Sequence, residues 1–367
     1  MNVHVTVEDA AFAAFAADRG LLVAPVAEGD DFLRPMLHSI GRRLAEYPKS
    51  VLPRPPAKGI RLGFVEEPSP NTFVESWRAH VIIGVHTGLL LSLLEATVQL
   101  QDDIGMFDAG FGSGPVPPAP IDLALPLGLT SYLRHRLGLG EDESVIREAG
   151  AAETGASRRA MNFLGAGLQF ACLHEFGHLA CGHLAWLRGR GRVARLFENP
   201  EEAASVLPRA DSALRFFEHE ADIFALETLL RSAMTRPPQQ TSATDKMNEI
   251  TTTMLAFLFV ALGWIGLEQT IGRTADATHP DPRDRLFALP LALTGLLEES
   301  VSFRAPLTEA VRRCQAILAR VIVRCPAFRA PGAVFDRAEV GRVEALIDWM
   351  RRMDMQTAAR SAGGPHD

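Results

Sequence analysis

Residues Leu168–Leu184 read LQFACLHEFGHLACGHL. Within them His174-Glu175-Phe176-Gly177-His178 forms the pattern H-E-x-x-H, inside a segment whose apolar spacing predicts a helix. At 3.6 residues per turn, positions four apart lie roughly 40° from each other on the helix surface. The imidazoles of His174 and His178 therefore face the same way and can share one ion. Glu175 sits roughly 60° round from His178, close enough to reach a metal-bound water without ligating the metal itself. Two neutral imidazoles suit Zn²⁺, which at a catalytic site takes a third protein ligand and leaves one position open to water.

His183 is the nearest further histidine, but the metzincin spacing places a third histidine ten residues after the first, and His183 falls at nine. On a continuing helix it would point roughly opposite to His174. It reads as a polar helix-end residue, favoured there by the helix dipole. The better third ligand lies forty residues on, in Phe217-Glu218-His219-Glu220-Ala221-Asp222. Glu218 and Asp222 are four apart and share a helix face, with Glu220 on nearly the opposite side as the fallback ligand. Glu218 would complete a His₂Glu set, and Asp222 could accept from the free ring N–H of His174 and fix its tautomer. A third element, Thr278-His279-Pro280-Asp281-Pro282-Arg283-Asp284-Arg285-Leu286, has prolines suited to a helix start. Its His279 is a candidate oxyanion stabiliser.

Outward from these motifs, the 367 residues are 47% hydrophobic and 22% charged, which excludes a disordered or collagen-like chain. The net charge of −7 argues against nucleic acid as a partner. Only three of the 37 basic residues are lysines, Lys49, Lys58 and Lys246, a bias read as base composition. Four cysteines, Cys172, Cys181, Cys314 and Cys325, form no C-x-x-C pair, which fits a reducing cytoplasm. Cys172 and Cys181 read as core residues of the metal helix. No G-x-S-x-G supports a serine nucleophile. The N-terminus lacks a basic region and carries Glu8 and Asp9, so it does not read as a secretory signal.

The organisation expected is helix-dominated α+β, with a small N-terminal sheet drawn mostly from the first 70 residues. Strands are expected near Val3–Val7 and Ile60–Val65, and a long helix over 73–101. Further helices are expected at about 121–138, 158–187, 211–232, 244–271, 283–299, 304–324 and 337–356. The run GFGSGPVPPAP at 110–120 is the best linker. It separates an N-terminal region of unknown role (1–107, linker 108–120) from a helical domain that carries the metal-binding motifs (121–356) and a tail (357–367). Ile250–Leu267 is 18 residues without charge, at the lower edge of what spans a bilayer. It and the run Ala79–Leu94 are read as buried core helices, with membrane association through 250–267 the less favoured alternative. The basic run 188–195 reads as a solvated connector, and Phe216 and Phe217 as core residues.

HEFGHLACGHL, EHEADIFA and THPDPRDRL, in that order, resemble the three motifs of gluzincin peptidases of the HtpX and CAAX-prenyl-protease family. The resemblance covers roughly residues 160–290. It implies a zincin-like core and a zinc endopeptidase with one Zn²⁺ per chain. In it His174, His178 and Glu218 hold the metal and Glu175 serves as general base and acid. Asp222 stands behind the ligands, and His279 and Arg285 lie at or behind the active site. Lit-like phage-exclusion peptidases, which share HExxH in a comparable frame, are a second zincin possibility and would imply a narrow protein target. The function expected is hydrolysis of peptide bonds in protein or peptide substrates by a metal-bound water activated by Glu175. The alternative is a non-catalytic zincin-fold binding or regulatory module with a structural zinc, which would have no use for Glu175.

Overall fold

A computed structural model describes residues 3–7, 9–23, 33–47, 52–53, 56–67, 71–90, 93, 155–189, 195–197, 212–236, 242–270, 285 and 288–324. In chain order the elements are β1 (Val5–Val7), α1 (Ala10–Asp18), α2 (Leu33–Ala45), β2 (Ile60–Val65), β3 (Thr72–Trp77) and β4 (His80–His86). They continue with α3 (Gly155–Ala180), α4 (His183–Gly189), β5 (Arg195–Phe197), α5 (Ser212–Thr235), α6 (Ala243–Thr270), α7 (Ala288–Glu299), a 3₁₀ turn at Val301–Phe303 and α8 (Arg304–Arg324). The protein is helix-dominated with one small mixed sheet, an α+β arrangement. The expected boundaries at 107, 120 and 356, and the helices expected at 121–138 and 337–356, lie outside the described residues.

The sheet has strand order β1-β2-β4-β3-β5. β1, β2 and β4 run parallel, and β3 runs antiparallel to both its neighbours. Because side chains alternate along a strand, each strand serves two layers. Ile60, Leu62, Phe64, Val74, Val81, Ile83 and Val85 join the main core with α2 and α3. On the opposite face Val65, Phe73, Trp77 and Ile82 close over Phe12 and Phe15 of α1. Gly84 makes room for this second layer: a Cβ there would fall 2.2 Å from the Phe73 ring.

Two-sided burial explains where the sequence expectation fails. Residues 73–101 do not form one helix; β3 and β4 occupy 72–86, and helix begins only at 87–90. A strand covered on both faces loses the apolar–polar alternation that distinguishes it from a helix, and His80–His86 (HVIIGVH) is such a strand. Three of the five strands therefore lie beyond residue 70, and the run Ala79–Leu94, expected as a core helix, opens with a buried strand, His80–His86, before helix begins at 87. The other ambiguous run lies in α6, where Ile250, Met254, Phe257 and Leu258 are buried in the main core. Among the described residues no helix is long and apolar enough to cross a membrane.

Helix α3 is the centre of the molecule, packed against β3 and β4 on one side and against α2, α5 and α6 on others. It stops before Gly182, whose φ of +83° is a left-handed conformation that glycine adopts without a Cβ penalty. The Cys181 N–H donates to the Gly177 carbonyl at 2.8 Å, and the Gly182 N–H to that of Leu179 at 3.2 Å. The single helix expected over 158–187 is thus two, with a turn between them.

Candidate metal centre

Helix α3 presents His174, Glu175 and His178, each at most 1% exposed. Helix α5 meets α3 beside Gly177, where a Cβ would lie 3.1 Å from the Ala221 Cα and 3.2 Å from the Phe224 ring. A glycine inside a helix costs about 1 kcal/mol relative to alanine. The close approach it permits is what brings Glu218 and Asp222, one turn apart on α5, against the two histidines. Arg285 reaches the same place from the segment before α7 and is 4% exposed.

His174 Nε2 lies 3.0 Å from His178 Nε2 and 3.2 Å from Glu218 Oε2, and His178 Nε2 lies 3.5 Å from Glu218 Oε1. Tetrahedral zinc with bonds of about 2.0–2.2 Å places its ligand atoms about 3.4 Å apart. These separations fit such an ion. The donors fit as well: Glu218 Oε2 is buried with no hydrogen-bond partner, as an acceptor aimed at a cation would be. His174 Nδ1 donates to Asp222 Oδ1 at 2.8 Å, which puts the proton of a neutral ring on Nδ1 and leaves Nε2 as the nitrogen that can ligate. Asp222 in turn accepts two bonds from Arg285, from Nε at 2.8 Å and from the guanidinium terminus at 2.7 Å.

Charge in this buried space is ordered by those contacts. Burial pushes the Asp222 carboxyl up, but Arg285 and then His174 outweigh it and hold it below its ordinary value. Burial likewise opposes the charge on Glu218, yet His178 and His174 hold it well below the usual carboxylate range. His178 is lowered, chiefly by burial, in the direction of the neutral ring that a metal ligand requires, with Glu218 opposing.

The structure thus brings together His174, His178, Glu218, Asp222 and Arg285, and it sets Glu175 beside them on α3. His279 lies outside the described residues. Glu220 is not at the cluster. Its Oε2 accepts instead from His183 Nε2 at 2.9 Å, and His183 Nδ1 lies 2.8 Å from His178 Nδ1. His183 is therefore no solvated helix-end residue: it is 1% exposed, because the helix turns at Gly182 instead of continuing. Burial lowers its ring to about 3, and Phe217 stacks on it at 4.1 Å. Two other expectations are overturned by the same turn and by the packing of α5. Cys181 falls after the end of α3 and is exposed, and Phe216 is 61% exposed whereas Phe217 is buried.

Thr72 was not singled out by sequence. From the first position of β3, its hydroxyl donates to Glu175 Oε1 at 2.7 Å. Thr72 shares a strand face with Val74, the face turned to α3, so reading 72–77 as a strand would have pointed to it.

The model of the family Peptidase U49 matches residues 143–303 of this chain. The match supports a peptidase family, and with it proteolytic function, and it spans the HExxH helix, α5 and Arg285. No curated protein and no solved structure matches the chain.

Proposed function

We propose that the chain is a zinc-dependent endopeptidase of gluzincin type, holding one Zn²⁺ through His174, His178 and Glu218. The observation that carries this reading is the convergence of two imidazole nitrogens and one buried carboxylate on a single point, with Glu175 adjacent on the same helix. When bound, zinc supplies Lewis acidity to a water and to the scissile carbonyl. Glu175, held by Thr72, takes the proton of the attacking water and returns it to the leaving amine. Asp222 and Arg285 hold the His174 ring with its ligating nitrogen inward. His279 is assigned to the developing oxyanion, by the order of the three motifs. The substrate is a protein or peptide. A reducing, cytoplasmic setting is supported by Cys172, Cys181 and Cys314 being unpaired.

Elemental analysis of chelator-free protein tests the metal, and counting new N-termini in a denatured proteome exposed to the chain tests the activity. Wild type is expected to carry about one zinc and to generate new termini. Glu218→Ala is expected to lose both, and Glu175→Gln to keep the zinc and generate none. Zinc retained by Glu218→Ala, or cleavage retained by Glu175→Gln, overturns the assignment.

A further inference from the structure

His174 has a visible reason to keep its Nε2 bare, because Asp222 takes the proton on Nδ1. His178 has no carboxylate in that position. Its Nδ1 faces another imidazole, that of His183, at 2.8 Å. Which of the two nitrogens carries the proton is decided one step further out. Glu220 only accepts, so the His183 Nε2 that it meets at 2.9 Å must donate. With its one ring proton on Nε2, a neutral His183 has an accepting Nδ1. The proton between the two rings must belong to His178, whose Nε2 is left with its lone pair directed at His174 and Glu218.

We propose that His183 and Glu220 are positioning residues that fix the tautomer and orientation of His178 for metal binding, through a chain running Glu220–His183–His178. The inference rests on the metal reading above. Its parts are held rigidly. His183 lies nearly parallel to Phe217, at 14°, and Trp186 meets the other ring of that pair edge-on at 5.1 Å. Phe217, Glu218 and Glu220 all belong to α5, so the helix that contributes a ligand also sets the relay for its neighbour.

The same atoms suggest a competing use. Cys181, His183 and Glu220 each offer a ligand atom within 4.8 Å of the others, a trio that could seat a second ion. Both ring nitrogens of His183 are already engaged, however, and ligation through Nε2 would break its bond to Glu220. It would also return the His183 proton to Nδ1, reverse the bond to His178 and put a proton on the His178 nitrogen that faces the cluster. The relay and a second ion are thus mutually exclusive uses of His183.

The test uses the full chain, wild type and the variants His183→Phe, Glu220→Ala and Glu220→Gln. Zinc affinity is read by competition with a chromogenic chelator, and ligand geometry by the visible spectrum of the cobalt-substituted protein. Ring tautomers come from ¹⁵N–¹H correlation spectra of histidine-labelled protein. Losing a hydrogen-bond partner of a metal-ligating histidine typically costs about 10–100-fold in affinity. His183→Phe keeps the stacking surface but removes the acceptor, and is expected to weaken zinc binding by that factor and to alter the cobalt spectrum. Glu220→Ala, on a half-exposed side chain that leaves the core intact, is expected to lose several-fold, and Glu220→Gln to recover most of it through its amide oxygen. Wild type is expected to show the His178 proton on Nδ1.

Unchanged affinity and cobalt spectrum in His183→Phe and Glu220→Ala would overturn the relay. So would a His178 proton on Nε2, or a second cobalt ion with a thiolate charge-transfer band that Cys181→Ser abolishes. A wild type that binds no zinc would instead defeat the metal reading. The relay would then still be judged by the tautomers of the metal-free protein.

Discussion

The two histidines of HEFGH sit one helical turn apart, yet different groups stand behind their rings. Behind His174 lies an ion pair: Asp222 is fully buried and Arg285 nearly so, bound through two parallel hydrogen bonds. Behind His178 lies a second imidazole, that of His183, and behind that a carboxylate whose side chain is 43% exposed. The deep arrangement ties three distant segments, α3, α5 and the residue before α7, into one network. The shallow one uses only the first residue of α4, just after the turn that ends α3, and the flank of α5. Removing one partner from a buried charge pair strands the other without solvent, whereas removing an exposed carboxylate leaves its partner in reach of water. The same task of holding an imidazole is therefore expected to be coupled to folding on one side of the cluster and nearly independent of folding on the other.

The strongest way to break this comparison is at Asp222. Asp222→Ala removes the carboxylate that takes both short bonds from the buried Arg285 guanidinium, with Glu218 farther off at 3.9 Å. The expected loss is about 3–5 kcal/mol of unfolding free energy in metal-free protein. Urea denaturation in the presence of a chelator measures it. A loss below about 1 kcal/mol would mean that the ion pair serves the ligand alone and that the asymmetry between the two sides is not real.

A second perturbation addresses the feature both sides share, the approach of α5 to α3. Gly177→Val adds a branched side chain where even a Cβ meets the Ala221 backbone at 3.1 Å. Overpacking of this kind costs about 1–3 kcal/mol. Because α5 carries Glu218, Asp222 and Glu220 together, the displacement is expected to weaken zinc binding through both histidines at once. Denaturation midpoints and chelator competition on the same variant check the two effects. Lost stability with unchanged zinc affinity would show that the ligands do not depend on this contact.

How far the molecule was legible in its sequence follows from the range of the signals involved. HExxH and ExxxD are spacings within single helices, and a period of 3.6 residues sufficed to bring His174 and His178 onto one face and Glu218 and Asp222 onto another. Helix α8, expected at 304–324, spans Arg304–Arg324. By contrast, Thr72 and Glu175 are 103 residues apart in sequence. Their contact exists only because β3 lies across α3, and burial of both sheet faces had erased the pattern that marks β3 as a strand. His183 departs from its expected direction for a local reason. The expectation holds for a helix that continues, whereas α3 ends before Gly182 and the next residue turns inward. A glycine at that point is compatible with either outcome until packing decides, since a mid-helix glycine costs only about 1 kcal/mol.

The smallest effect on stability is expected at Glu220, and it sharpens the comparison most. Its carboxylate makes one hydrogen bond, to His183, from a side chain that is nearly half in water, and contacts of that kind contribute about 0–1 kcal/mol. Glu220→Ala should therefore unfold within about 1 kcal/mol of wild type in metal-free protein, by the same urea measurement used for Asp222→Ala. If His178 is nonetheless held for the ion through His183, the variant separates the two properties that Asp222 confounds: binding falls while folding does not. A loss at Glu220 as large as that at Asp222 would instead show that α4 docks onto α5 through this bond. The shallow side would then be as much a part of the folded core as the deep one.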